Sequence, residues 1–152
     1  MDVNYNIQSG VSIPLADIVK SSDNYIKFAN GTYMIWGKAD KNCAKKTSQK
    51  VNTGNKTVSV TYTLNDDKYP GFKLNSLDSY EYFNISVNSI SFSNGTSIII
   101  PNNEYWELNP IKYFNKRNIF ISFKSKNTSD VEINEDYSYD INFWFFAIGR
   151  WK

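Results

Sequence analysis

Histidine is absent from this chain and cysteine occurs once. The first absence removes the commonest general base, the Ser-His-Asp and Cys-His nucleophile systems, and the commonest metal-ligating side chain. The second leaves Cys43 without a partner for an internal disulfide, and one thiolate alone builds no zinc site. Charge of one sign is also lacking. Seventeen basic residues against 15 acidic ones leave +2, too little for a protein whose main work is gripping nucleic acid or anionic lipid. No stretch approaches the ~18 consecutive apolar residues of a spanning helix, so no membrane insertion is expected. Four prolines and seven glycines are too few for a disordered chain.

Alanine is scarce as well, with five residues against twenty asparagines, whereas aromatics reach 16%. Aromatic and β-branched side chains suit strands, and abundant Asn and Ser supply turns and disfavour helices. The 152 residues are about one domain's worth of chain, enough for one core. The expectation is a single all-β domain.

Residues 1–22 read as a polar lead-in interrupted by Gly10 and Pro14, with one turn of helix at most over 13–19. They are taken as an arm or attachment peptide, and 23–152 as the head. Met1 to Asn6 has neither a basic segment nor an apolar run, which predicts no cleaved signal peptide and synthesis in a cytoplasm. Five glycosylation sequons, at Asn30, Asn55, Asn84, Asn94 and Asn127, then read as coincidence in an Asn-rich chain.

The first firm element is a hairpin, 25–28 and 32–36, turning at Asn30-Gly31. Residues 38–56, with six lysines and one aspartate, read as a solvated loop rather than an anion-binding patch. From Lys56 to Leu64 the pattern alternates, placing Val58, Val60, Tyr62 and Leu64 on one face of a half-buried strand. Alternation at Phe83, Ile85 and Val87 slips by one before Ile90 and Phe92, which predicts a β-bulge. Asn94-Gly95 turns the chain again, residues 102–117 form an aromatic loop, and Ile119, Ile121 and Phe123 mark another strand. About seven strands at this spacing predict a β-sandwich or a small barrel.

The last strand is apolar in both phases. Ile141, Phe143, Phe145 and Ala147 lie on one face, and Trp144, Phe146 and Ile148 on the other. A two-layer sandwich needs one apolar face, so the second requires another partner. That partner is either loops of the same chain or another subunit; in so short a chain with no helices to cover it, a cyclic homo-oligomer is the expectation, its interface built from Ile141, Phe143, Trp144, Phe145, Phe146 and Ile148.

The segment Asn24-Tyr25-Ile26-Lys27-Phe28-Ala29-Asn30-Gly31-Thr32-Tyr33-Met34-Ile35-Trp36-Gly37 and the ending Phe143-Trp144-Phe145-Phe146-Ala147-Ile148-Gly149-Arg150-Trp151 resemble the C-terminal domains of bacteriophage and prophage tail-fibre proteins. These are similar in turn to the H-type lectins, six-stranded antiparallel sandwiches that assemble as trimers and bind carbohydrate. The resemblance spans about residues 17–152, but only its two ends are specific. It implies a homotrimeric virion protein with a lectin-like head for host surface glycan, joined to other virion proteins through residues 1–22. One departure is that the head begins almost at once, where fibre proteins usually carry long shaft or anchoring regions upstream.

Sugar recognition uses aromatic faces flanked by groups that fix hydroxyls. Asn103, Glu104, Tyr105 and Trp106, Arg117 nearby, and Tyr80 with Tyr82 suit that description. The competing reading is that these aromatics only plug the ends of the sandwich or an interface. No lectin binding motif maps onto the chain, so none is carried over. Two rival readings are a glycosidase using Glu104 with Glu107 or Asp66 with Asp67, disfavoured because such pairs arise by chance among 15 acidic residues, and a capsid fibre, decoration or baseplate protein whose fold only assembles. The acidic run 130–136 lacks the spacing of a calcium loop, so neither metal nor cofactor is expected.

Overall fold

The computed structural model describes residues 4–6, 12–14, 18–73, 82–99, 106–108, 114–115, 117–126 and 133–152. Every regular element among them is a strand. β1 (Asn4–Asn6) and β2 (Ser12–Pro14) pair with each other. β3 (Ile18–Ser22), β4 (Tyr25–Phe28) and β5 (Thr32–Lys38) lead into β6 (Ala44–Asn52) and β7 (Thr57–Leu64). β8 (Tyr82–Ser93), β9 (Ile98–Ile99), β10 (Trp106–Leu108), β11 (Phe114–Asn115), β12 (Asn118–Ser125) and β13 (Ser138–Arg150) complete the chain.

Two antiparallel sheets enclose the core. One runs β3-β4-β5-β13-β8-β9, and the other β10-β12-β7-β6 with β11 also on β12. The sheets are separate, which selects the sandwich over the barrel. Alternation puts Val58, Val60, Tyr62 and Leu64 of β7 and Ile119, Ile121 and Phe123 of β12 inward, as their spacing predicts. They meet Tyr33, Ile35, Ile141, Phe143 and Phe145 of the larger sheet, with Tyr62 edge-on to Phe143. The β4–β5 hairpin turns at Gly31 with φ 95°, and the slip before Ile90 is a true bulge: Asn142 faces Ser89 but Phe143 faces Val87.

Two expectations need correction. Of the expected helical turn over 13–19, the described residues 13–14 and 18–19 are strand: Ile18 opens an edge strand and pairs with Phe28, so the last five residues of the expected arm belong to the sheet. Much of 38–56 is not a loop either, because β6 pairs with β7 from Ala44 to Asn52. A register shift between Lys46 and Ser48 moves the inward positions from Ala44 and Lys46 to Gln49 and Val51, so no simple alternation survives.

That strand explains how β13 is held. β13 outreaches β5, which pairs only with 144–150. Its other half needs partners for its backbone, because buried unpaired peptide groups are costly. Side chains of the opposite sheet supply them. The Ile141 N–H donates to Tyr62 Oη at 2.7 Å and that hydroxyl donates back to the Ile141 carbonyl at 3.3 Å. The Tyr139 N–H donates to Gln49 Oε1 at 2.8 Å, and Lys46 Nζ donates to the Tyr139 carbonyl at 2.6 Å. At the far end, where β8 stops, Lys73 exchanges two 2.8 Å backbone bonds with Arg150.

Candidate functional site

The two segments that carry the resemblance fold into one unit. β5 and β13 are adjacent strands, in register from Thr32 opposite Arg150 to Lys38 opposite Trp144. Past β13 the chain returns to the hairpin turn. The Trp151 N–H donates to the Gly31 carbonyl at 3.1 Å, and its indole Nε1 donates to the Phe28 carbonyl at 2.8 Å. Lys27 lies over the Tyr33 ring at 4.9 Å and the Trp151 ring at 5.7 Å, closing that end of the core.

Strand alternation then sorts the terminal aromatics by face. Ile141, Phe143, Phe145 and Ala147 are buried against the chain's own second sheet. Ile141, Phe143 and Phe145 are therefore core residues, which corrects their expected place in a subunit interface. On the outer face, cross-strand register places Met34 beside Ile148 and Trp36 beside Phe146, with Ile26 next to Met34 and Tyr82 next to Ile148. Trp144 is 52% exposed and Tyr82 51%; Met34, Trp36, Phe146 and Ile148 are half-buried. Farther along, the face turns polar at Asn142, Asp140, Ser89 and Ser91. A contiguous apolar band thus occupies one half of an outer sheet surface.

The residues expected to grip a sugar are distributed differently. Tyr80, Asn103, Glu104 and Tyr105 lie outside the described residues. Trp106 is 4% exposed, packed edge-on against Phe123 and Tyr139. It is a core residue and offers no open face to stack on, a correction to its expected role. Among the described residues its indole N–H has no hydrogen-bond partner, and it borders a pocket of about 250 Å³ with Val87, Ile90 and Leu108. Arg117 is also structural. Its guanidinium donates to the carbonyls of Asn65, Tyr69 and Phe72 at 3.1–3.2 Å and pairs with Asp66, clamping the turn after β7. That contact occupies one carboxylate of the Asp66–Asp67 pair. Tyr82 alone of the described candidates is exposed, and it stands beside Phe146 on the apolar band.

A lysine-lined cleft has no counterpart among the expected sites. It measures about 590 Å³ and opens where β5 leaves β13, between Lys38, Asp40 and Lys41 on one side and Asp140 and Asn142 on the other. Lys45, Lys46, Tyr62 and Ser91 complete its walls. Lys46 is held in place by Gln49 Oε1 at 2.8 Å, Ser138 Oγ at 3.1 Å and the Tyr139 carbonyl. Burial pulls its pKa below the ordinary lysine value, and the charge of Asp140 offsets part of that. Asp40 is committed to its own turn, accepting the N–H groups of Asn42 and Cys43 at 2.8 Å. The lysine run of 38–46 was the available signal; what it lacked was the fold of β6, which brings the lysines to the free edge of β13.

No protein-family model matches the chain, and neither a curated protein nor a solved structure shows a significant match to it.

Proposed function

We propose that the chain is the receptor-binding head of a bacteriophage fibre: a lectin-like β-sandwich that assembles as a homotrimer and attaches the particle to carbohydrate on the host surface. The observation that carries this reading is the apolar band on the outer face of β5 and β13. The segments 24–37 and 143–151, which resemble phage fibre heads, are the ones that build the band. An outer sheet surface bearing Trp144, Tyr82, Phe146 and Ile148 is costly in water, and a closed ring of copies covers it without open-ended growth. Attachment by three heads tolerates weak individual sugar contacts, since the second and third bind at high effective concentration.

Sedimentation of the purified chain tests the assembly, with a threefold mass expected. Fluorescently labelled protein is expected to coat susceptible bacterial cells and to be displaced by their extracted surface glycan. A stable monomer, or coating that free glycan leaves intact, overturns the reading. Tight binding to virion proteins with no cell binding assigns the fold to assembly alone.

A further inference from the structure

We infer that the cleft between Lys38 and Asp140 is the ligand site of this head, and that its ligand is an acidic saccharide carrying carboxylate or phosphate groups. The inference rests on the carbohydrate-binding reading above and adds the substrate class and the place of binding.

Charge comes first. Four lysines and two aspartates line the cleft, a local surplus of two positive charges in a chain whose total is +2. The surplus is not neutralised internally. Asp40 spends its carboxylate on backbone N–H groups, and the side chains of Lys38, Lys41 and Lys45 make no hydrogen bond or ion pair among the described residues. Low-dielectric walls of Ala44, Tyr62 and Ile141 concentrate the field of these ammonium groups on whatever enters.

Geometry comes second. Lys46 is fixed by three hydrogen bonds and forms a rigid wall, whereas Lys41 and Lys45 are exposed and free to meet a ligand. Opposite them, Asn142, Ser91 and Asp140 present an amide, a hydroxyl and a carboxylate, the groups that fix sugar hydroxyls. About 590 Å³ is room for more than one sugar ring. The cleft opens at the 138–142 end of β13 and adjoins the apolar band of 144–150 where Lys38 pairs with Trp144, so a trimer closed on the band would leave the far wall, Lys41 and Lys45, to the ligand.

The test uses the full chain, with polygalacturonate as the carboxylate probe, a glycerol-phosphate polymer as the phosphate probe, and dextran as the neutral control. Calorimetry is expected to show binding of one or both anionic polymers, weakened by salt, and none of dextran. Which polymer binds names the anionic group. The double variant Lys41→Gln/Lys45→Gln is expected to lose about tenfold in affinity while keeping the wild-type mass and melting temperature. Dextran binding that the double variant retains overturns the cleft and the anionic class but leaves the carbohydrate-binding reading standing. Binding of none of the three polymers by a chain that still coats cells has the same result. Equal affinity for single-stranded DNA or anionic vesicles overturns the proposal by reducing the cleft to unselective positive charge.

Discussion

Tyr62 shows how much a single hydroxyl does in this fold. It lies in the core, and its oxygen serves both backbone groups of Ile141 at a place where β13 pairs with β8 on one side and has run past β5 on the other. Tyr62→Phe keeps the ring against Phe143 but strands a buried N–H and a buried carbonyl. We expect a loss of about 1–3 kcal/mol, read from urea unfolding; an unchanged midpoint would mean that water replaces the hydroxyl. The same group makes stability depend on alkaline pH. Burial pushes the Tyr62 pKa up to about 12, from an ordinary value of 10.0, because the phenolate is poorly solvated there. The folded state then holds the proton more tightly than the unfolded one, so this contribution is complete below pH 10. It declines as pH rises through 12. Tyr33 and Tyr69 are shifted upward for the same leading reason and add to the effect. Tyrosinate absorbance is expected to rise together with unfolding, and Tyr62→Phe to flatten the decline in that window.

At the scale of elements, β13 is the strand around which the others are arranged, and its ends set strict local demands. Gly149 sits where the 72–73 segment crosses it: an added Cβ would lie 2.4 Å from the Lys73 carbonyl and 2.8 Å from the Phe72 ring. Gly37 on β5 meets a similar limit, 2.4 Å from Tyr69 Oη, whose hydrogen donates to the Trp36 carbonyl. Gly149→Ala is expected to cost about 1–3 kcal/mol by overpacking, seen as a lower thermal midpoint, and a wild-type midpoint would show that Lys73 can retreat. These demands explain why the β4–β5 hairpin and the last strand were legible in the sequence. Gly31, Gly37, Gly149 and Trp151 each answer a local requirement that leaves few other residues. β7 and β12 were legible because strict alternation records one buried face. β6 was not, for two reasons: its bulge resets the phase at Thr47, and its inward residues Lys46 and Gln49 are polar because they bond to the edge of β13. A strand that contributes hydrogen bonds to the interior instead of hydrocarbon looks like a loop when only hydropathy is read. Trp106 and Arg117 misled for the opposite reason. Aromatic and basic residues suit a sugar site and a packed turn equally well, and composition holds nothing that separates the two.

At the scale of the whole molecule, neighbouring residues of one strand are expected to answer to different levels of organisation. Trp144 and Phe145 adjoin in sequence but point to opposite faces, one outward from the sheet and the other into the core. Phe145→Ser removes a buried ring that packs edge-on to Tyr69, so it is expected to cost about 3–5 kcal/mol and to unfold the chain. Trp144→Asp touches no core contact and is expected to change the stability of the single chain by less than about 0.5 kcal/mol. In a trimer closed on the apolar band it would instead place a charged carboxylate where each contact buries the Trp144 ring. The expected product is a folded monomer at concentrations where the parent chain sediments as three copies, with cell coating reduced because avidity is lost. The contrast separates assembly from folding in one pair of measurements, sedimentation and far-UV circular dichroism. Wild-type mass for Trp144→Asp would move the interface away from the band. Dissociation by both variants with neither unfolding would mean that the core of the sandwich, not its outer face, is what the copies share.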